Sequence, residues 1–313
     1  MSSEHDLGEL SAEELASHST TPFGPSSDSI CRVTNGNVCG SGCIVGQRGG
    51  KSLILTNAHV AGTRIGKLES CYFPKLQKSY QVRVIMAGYS DRVMMDWAIL
   101  EAEEVIPLPI VKLVKETPQG DHYTGGYPRC RGPYYQRLET RGFTYNGTVW
   151  KWQPNAIGGQ SGSSVHSFRD NLCYGLLTWS WGGDGAGQTV RSIWFQYANR
   201  SVIGFPKPPD LIELADNRPP ADELEEGFFQ QSNITTLPIW AHLDEPDDPA
   251  DPDDPDEPGV PNDEAVKSIG EYLEATSKDR DKLIEDYRRF KGTVDNPADD
   301  EDNTQSDGPL FGL

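Results

Sequence analysis

Between about Val33 and Phe205 the chain is divided into short apolar runs, and none carries a sustained helical period. They read V-C-G-S-G-C-I-V (38–45), S-L-I-L-T-N (52–57), Y-Q-V-R-V-I-M-A (80–87), W-A-I-L-E (97–101), L-P-I-V-K-L-V (108–114), T-V-W-K-W (148–152), C-Y-G-L-L-T-W (173–179) and S-I-W-F-Q-Y (192–197). Gly, Pro and Asn separate them. Runs of this length, rich in β-branched and aromatic residues and bounded by turn formers, are strand signals, and many of them in succession predict an all-β barrel or sandwich. No internal repeat interrupts the pattern.

Charge separates this body from what flanks it. Residues 30–205 hold 19 Lys and Arg against 11 Asp and Glu, whereas residues 206–313 hold 9 against 30, and residues 1–29 hold six acids and no Lys or Arg. The overall net charge of −19 therefore belongs to the ends, and a basic globular body with acidic, solvated tails is expected. The hydrophobic content of 36% fits a chain that is packed only in part. Residues 1–29 read as disordered. Residues 206–262 read as a Pro-rich acidic linker, with nine acids and four prolines in the fourteen residues from Asp244 to Glu257. Residues 263–291 read as an amphipathic helix, capped by Asn262 and stopped by Gly292, and residues 292–313 as a disordered acidic tail.

The remaining bulk signals narrow the class. No apolar run reaches the ~18 residues of a membrane helix. The opening M-S-S-E-H-D-L-G-E-L lacks the basic and apolar regions of a secretory leader, so a cytoplasmic protein is expected, with a virion or a host-cell cytoplasm as further settings. Cys31, Cys39, Cys43, Cys71, Cys130 and Cys173 show no zinc-knuckle spacing, and without a leader free thiols are expected rather than disulfides. Neither a metal nor a cofactor is expected.

Chemistry enters at G-G-Q-S-G-S-S, residues 158–164. The stretch reads as a tight turn, or as a serine nucleophile set among glycines whose N–H groups can meet an oxyanion. A serine hydroxyl needs a neutral histidine to take its proton and a carboxylate to orient that histidine. The body supplies His59 in L-I-L-T-N-A-H-V and Asp96 in M-M-D-W-A-I-L, in the order His, Asp, Ser161. Asp91 competes with Asp96 but sits in a turn-like G-Y-S-D. Ser163 and Ser164 lack a glycine two residues before them, and His166 reads as structural.

These residues resemble the motifs of the chymotrypsin-like serine proteases, including HtrA-type and viral or phage trypsin-like domains. T-N-A-H-V, Asp96-Trp-Ala-Ile-Leu100, Gly159-Gln-Ser161-Gly-Ser163, Gly175-Leu-Leu-Thr-Trp179 and Gly40-Ser-Gly-Cys-Ile44 match in the family's order over residues 30–205. The resemblance implies two antiparallel six-stranded β-barrels, about 30–108 and 109–205, with the active site between them. It implies His59, Asp96 and Ser161 as a catalytic triad, an oxyanion hole from the N–H groups of Gly159 and Ser161, and a polypeptide substrate. Asn155 would floor the specificity pocket, with Thr178, Trp179 and Ser180 along the strand that pairs with substrate; Leu177 stands where Glu- and Gln-specific relatives carry His. Asp184 is expected to cap a turn rather than to reach the pocket. Gln160, uncharged, stands where many relatives carry the aspartate that pairs with a freed N-terminus, so no buried N-terminal ion pair is expected. The body followed by acidic sequence is reminiscent of sobemovirus-like processing enzymes. A catalytically silent module for a protein or nucleic-acid partner is the alternative, although no aromatic-basic RNA-binding motif is present. The acidic tail could cover the basic body or dock a partner protein.

Overall fold

A computed structural model of the chain describes residues 10–90, 92–117, 120–145, 147–199, 207–208, 211–213 and 230–231. Asp91, the predicted helix over 263–291, the tail 292–313 and nearly all of the linker lie outside them. Twelve strands form the body. Six build the first barrel: β1 (Ile30–Asn35), β2 (Val38–Arg48), β3 (Lys51–Thr56), β4 (Leu68–Phe73), β5 (Lys78–Ser90) and β6 (Met95–Ala102). Six build the second: β7 (His122–Gly126), β8 (Tyr134–Thr144), β9 (Val149–Gln153), β10 (Ser164–Ser167), β11 (Cys173–Trp181) and β12 (Asp184–Thr189). The first sheet runs β5-β4-β1-β2-β3-β6 and closes through β5–β6; the second runs β10-β7-β8-β9-β12-β11 and closes through β10–β11. All of these pairings are antiparallel, and the two barrels share one strand order. This is the chymotrypsin-like double barrel that the motifs implied.

Closure leaves no long open edge, which is how a small all-β body avoids pairing with other chains. Between the barrels lies a shared apolar cluster that includes Leu55, Trp97, Ile99, Val111, Leu113 and Leu176. Three of these come from strands of the first barrel, two from the connecting segment and one from the second barrel, so the barrels share one core rather than meeting through water.

Four expectations are corrected. The run at 108–114 is not a strand. Pro107 precedes it and Pro109 interrupts it, and it bridges the barrels through single contacts, with Val111 N–H on the Ile44 carbonyl at 2.8 Å and Val114 N–H on the Cys173 carbonyl at 3.0 Å. The run at 192–197 belongs to a helix, α3 (Val190–Asn199). Val190, Ile193 and Tyr197 fall three and four residues apart on one face and pack into the shared core, while Thr189 Oγ1 accepts the Ser192 N–H at 3.2 Å as a cap. Cys39 and Cys130 form a disulfide between β2 and the turn after β7, while Cys31, Cys43, Cys71 and Cys173 are buried free thiols. Finally, strands do not stop at Phe205: β13 (Leu211–Glu213) pairs with β11, and β14 (Gln230–Gln231) with β5.

The N-terminal segment also departs from its predicted disorder. It carries a short helix, α1 (Ala12–Ala16), closed by a capping box between Ser11 and Glu14, and a 3₁₀ turn at Pro25–Ser29. Ser19 exchanges backbone hydrogen bonds with Tyr135 at 2.7 and 2.8 Å, and Leu10 is buried. Low apolar content made this stretch look unpacked, yet polar contacts to β8 hold it. No helix of the described residues is long and apolar enough to cross a membrane.

Candidate active site

His59 and Asp96 are brought together by the first barrel. β3 ends at Thr56 and the chain turns into one helical turn, α2 (Ala58–Ala61), which carries His59. β6 pairs with β3, so its second residue, Asp96, lies beside that turn. The Asp96 carboxylate accepts the His59 backbone N–H at 3.0 Å through Oδ1 and meets the imidazole Nδ1 through Oδ2. With the carboxylate on Nδ1, the proton of the neutral ring sits there and Nε2 is left as a base. Asp96 is 2% exposed and His59 not at all.

The second barrel contributes the hold on this pair. Asn57 Nδ2 donates to the Asp96 carbonyl at 2.6 Å and to Thr178 Oγ1 at 3.2 Å. The Asp96 N–H donates to Gln188 Oε1 at 2.8 Å. Gln188 Nε2 in turn reaches the Met94 carbonyl at 2.8 Å and Gln196 Oε1 at 3.1 Å, and Trp97 Nε1 also donates to Gln196 Oε1 at 3.0 Å. Gln188 on β12 and Gln196 on α3 were not singled out from sequence. Their only signal is a glutamine among residues that are otherwise small or apolar. Both atoms of the Gln188 and Gln196 amides are hydrogen-bonded, which fixes backbone position because each lost bond would leave a desolvated group.

Ser161 sits in the loop before β10. Its carbonyl accepts the Ser41 N–H at 2.7 Å, and Ser41 Oγ donates to the Gly159 carbonyl at 3.0 Å while accepting the Tyr127 N–H at 3.0 Å. Thr56 Oγ1 holds the Ser41 carbonyl at 2.7 Å. Ser41, another residue that sequence reasoning missed as a support, thus ties the loop to the strand that leads into His59. A methyl on Gly40 would stand 2.6 Å from the Val60 side chain and 2.9 Å from the Ser161 carbonyl, so the residue after His59 and the serine backbone meet at one bare glycine. Gly162 (φ +84°) is equally required: a Cβ there would lie 2.0 Å from the Ser41 carbonyl. The Ser161 hydroxyl is buried and makes no hydrogen bond among the described residues. Among the same residues the N–H groups of Gly159 and Ser161 reach no protein acceptor, whereas the intervening Gln160 N–H closes a turn on Ile157 at 3.0 Å.

Gln160 makes a contact not anticipated from the sequence. Its Oε1 accepts the Ile157 N–H at 2.8 Å, so its amide nitrogen is the donor to His18 Nε2 at 3.1 Å. His18 then carries its proton on Nδ1, which donates to the Glu14 carbonyl at 2.6 Å. Glu14 itself pairs with Arg129 at 3.2 Å. The residue before Ser161 is therefore met by the N-terminal segment, through an uncharged hydrogen bond rather than an ion pair. Burial pushes the His18 pKa down, with the Glu14 carbonyl acting against it.

Of the positions expected to line a pocket, Asn155 and Ser180 are in contact, while Thr178 and Trp179 precede Ser180 on β11. Asn155 Oδ1 accepts the Ser180 hydroxyl at 2.9 Å, and Thr178 Oγ1 donates to the Leu176 carbonyl at 2.8 Å. Trp179 is buried. Asp184 opens β12, ion-paired with Lys151 at 3.1 Å and accepting from Gln153 Nε2 at 3.1 Å. His166 is structural: Nε2 accepts the Ser164 hydroxyl at 2.7 Å and the ring stacks on Tyr123. Among the described residues no group of His, Cys, Asp and Glu could hold a metal ion.

No protein-family model and no curated protein matches the chain. Solved structures do. The chain is similar to the Rv3671c protease of M. tuberculosis in its inactive form, at 20% identity and a TM-score of 0.44, over 56% of this chain and 89% of that one. It is similar to a serine endoprotease from Yersinia pestis at 18% and 0.45, over 59% and 71%. A serine protease of human pathogenic astrovirus stands at 16% and 0.42, over 53% and 91%.

Proposed function

We propose that the chain is a serine endopeptidase of the processing type, acting through an acyl-enzyme with Ser161 as nucleophile. The observation that carries this reading is the buried His59–Asp96 pair, which leaves Nε2 of a neutral imidazole as the basic atom. His59 takes the Ser161 proton as the hydroxyl attacks the peptide carbonyl and returns it to the leaving amine; Asp96 stabilises the imidazolium in between. The N–H groups of Gly159 and Ser161 receive the oxyanion, and each such donor is worth on the order of 3 kcal/mol at the transition state. Water then repeats the cycle on the acyl-enzyme. Thr178, Trp179 and Ser180 bind the substrate strand, and the neutral Asn155 favours a residue without positive charge in the pocket. The acidic, proline-rich sequence behind the body supports the processing role.

The test is labelling of the full chain by a fluorophosphonate probe, with Ser161→Ala as control. Labelling confined to the parent, at Ser161, is expected. A parent that reacts no faster than the alanine variant would leave the fold as a binding module.

A further inference from the structure

One edge of β11 carries three things in succession. β10 pairs with it up to Leu176, opposite Ser164. The Ser161 loop follows at Leu177, where Gly162 N–H reaches the Leu177 carbonyl at 2.9 Å and Leu177 N–H the Ser163 carbonyl at 2.8 Å. Beyond Thr178, β13 takes up the ladder, with Glu213 opposite Trp179, Ile212 opposite Ser180 and Leu211 opposite Trp181. An extended segment at 179–181 is thus the next neighbour of the nucleophile loop. Being antiparallel, β13 moves toward Ser161 with every residue from Leu211 to Glu213.

The occupant is held by side chains as well as by backbone. Leu211 is 4% exposed and packs in a cluster with Met94, Val149, Trp179 and Ala186, whereas Ile212, on the opposite face, is 65% exposed. One buried anchor with main-chain pairing is how a sheet edge takes a peptide. His59 and Ser161, beside this edge, are both fully buried.

We infer that residues 211–213 occupy, in cis, the strand position that an extended peptide substrate of this site must take. The inference rests on the endopeptidase reading for the word substrate. The recognised ligand is an extended segment with one buried apolar anchor, here Leu211, paired along β11. Because the occupant is tethered, a peptide added in solution competes with an effective concentration in the millimolar range.

The experiment uses the full chain carrying Ser161→Ala, so that binding is read without turnover. The probe is a fluorescent peptide of residues 209–214, Pro-Asp-Leu-Ile-Glu-Leu. Two further variants, Ile212→Pro and Glu213→Pro, are compared with that parent. Successive N–H groups of a strand point to opposite sides, so one of the two prolines removes a donor facing β11. The expected result is that at least one variant, melting as the parent does, binds the peptide about tenfold more tightly. Parent-like affinity in both overturns the inference. Fluorophosphonate labelling of the Ser161 chain decides the protease reading separately: a chain that fails to label yet binds the peptide more tightly after a proline substitution keeps the strand site and loses the catalysis.

Discussion

At the scale of single residues the site rests on proton bookkeeping. Ser161→Ala should cut turnover by about 10⁶ while leaving the melting temperature within a few degrees, and His59→Ala should cost as much turnover but also melt lower, since it strips the buried Asp96 carboxylate of its partner, checked by peptide hydrolysis and calorimetry on the same samples. Asp96→Asn should cost about 10⁴, because an amide at Oδ2 inverts the imidazole tautomer. His18→Ala should cost about 1–3 kcal/mol by leaving the buried Gln160 amide without its acceptor. Since Gln160 adjoins Ser161, it should also lower kcat more than KM, and His18→Gln, which keeps an acceptor, should recover part of the loss. The residues proposed to carry the chemistry could be singled out because each sits in its own short motif. Those that hold them were not. Ser41, Gln188 and His18 reach Ser161, Asp96 and Gln160 across 92 to 142 residues of chain, and no local pattern marks such a pair.

At the scale of elements, strands with Val, Ile, Leu or Trp at their centre, such as β3, β6, β9 and β11, could be seen in the sequence. Strands such as β7 (H-Y-T-G-G) and β12 (D-G-A-G-Q-T) could not, because their burial comes from neighbours rather than from their own side chains. In β12 the glycines are a packing requirement: a Cβ on Gly187 would stand 2.1 Å from the Leu176 carbonyl. α3 was missed because its apolar cluster was read as a run, when the spacing of Val190, Ile193 and Tyr197 is helical. The Cys39–Cys130 disulfide joins the barrels across 91 residues and anchors a turn whose Arg129 N–H holds the Gly158 carbonyl at 2.7 Å. Closing a loop of that length contributes about 4.6 kcal/mol in the chain-entropy account. The double variant Cys39→Ser/Cys130→Ser should therefore melt about 10 °C lower in a thermal scan and lose activity ahead of the melt.

At the scale of the whole molecule, stability should depend on pH in two separate windows. Burial pushes the His166 pKa down to about 4, with the Asn171 carbonyl opposing, so the unfolded chain binds its proton first as pH falls. Stability from this group is complete above the unfolded value near 6.5 and is lost progressively down to about 4, on the order of 3 kcal/mol in all. Glu101 shifts in the same direction, in a more acidic window. Burial works against its charge, but Arg83, Arg48 and Lys51 hold its pKa below the usual carboxylate range, so its contribution is lost only as pH drops through that lowered value. Denaturant titrations from pH 7 to 3 should show both losses, and His166→Gln should flatten the upper one alone.

The division of labour between chain and fold follows from the range of the forces. Strand character, the all-β class and the three side chains proposed as reactive are written in short windows, because turn chemistry, apolar runs and motif glycines act over a few residues. The barrel closure, the inter-barrel disulfide, the docked N-terminal segment and the strand seated on β11 depend on which distant edges and polar groups come within bonding distance, and that is settled only when the two barrels have closed.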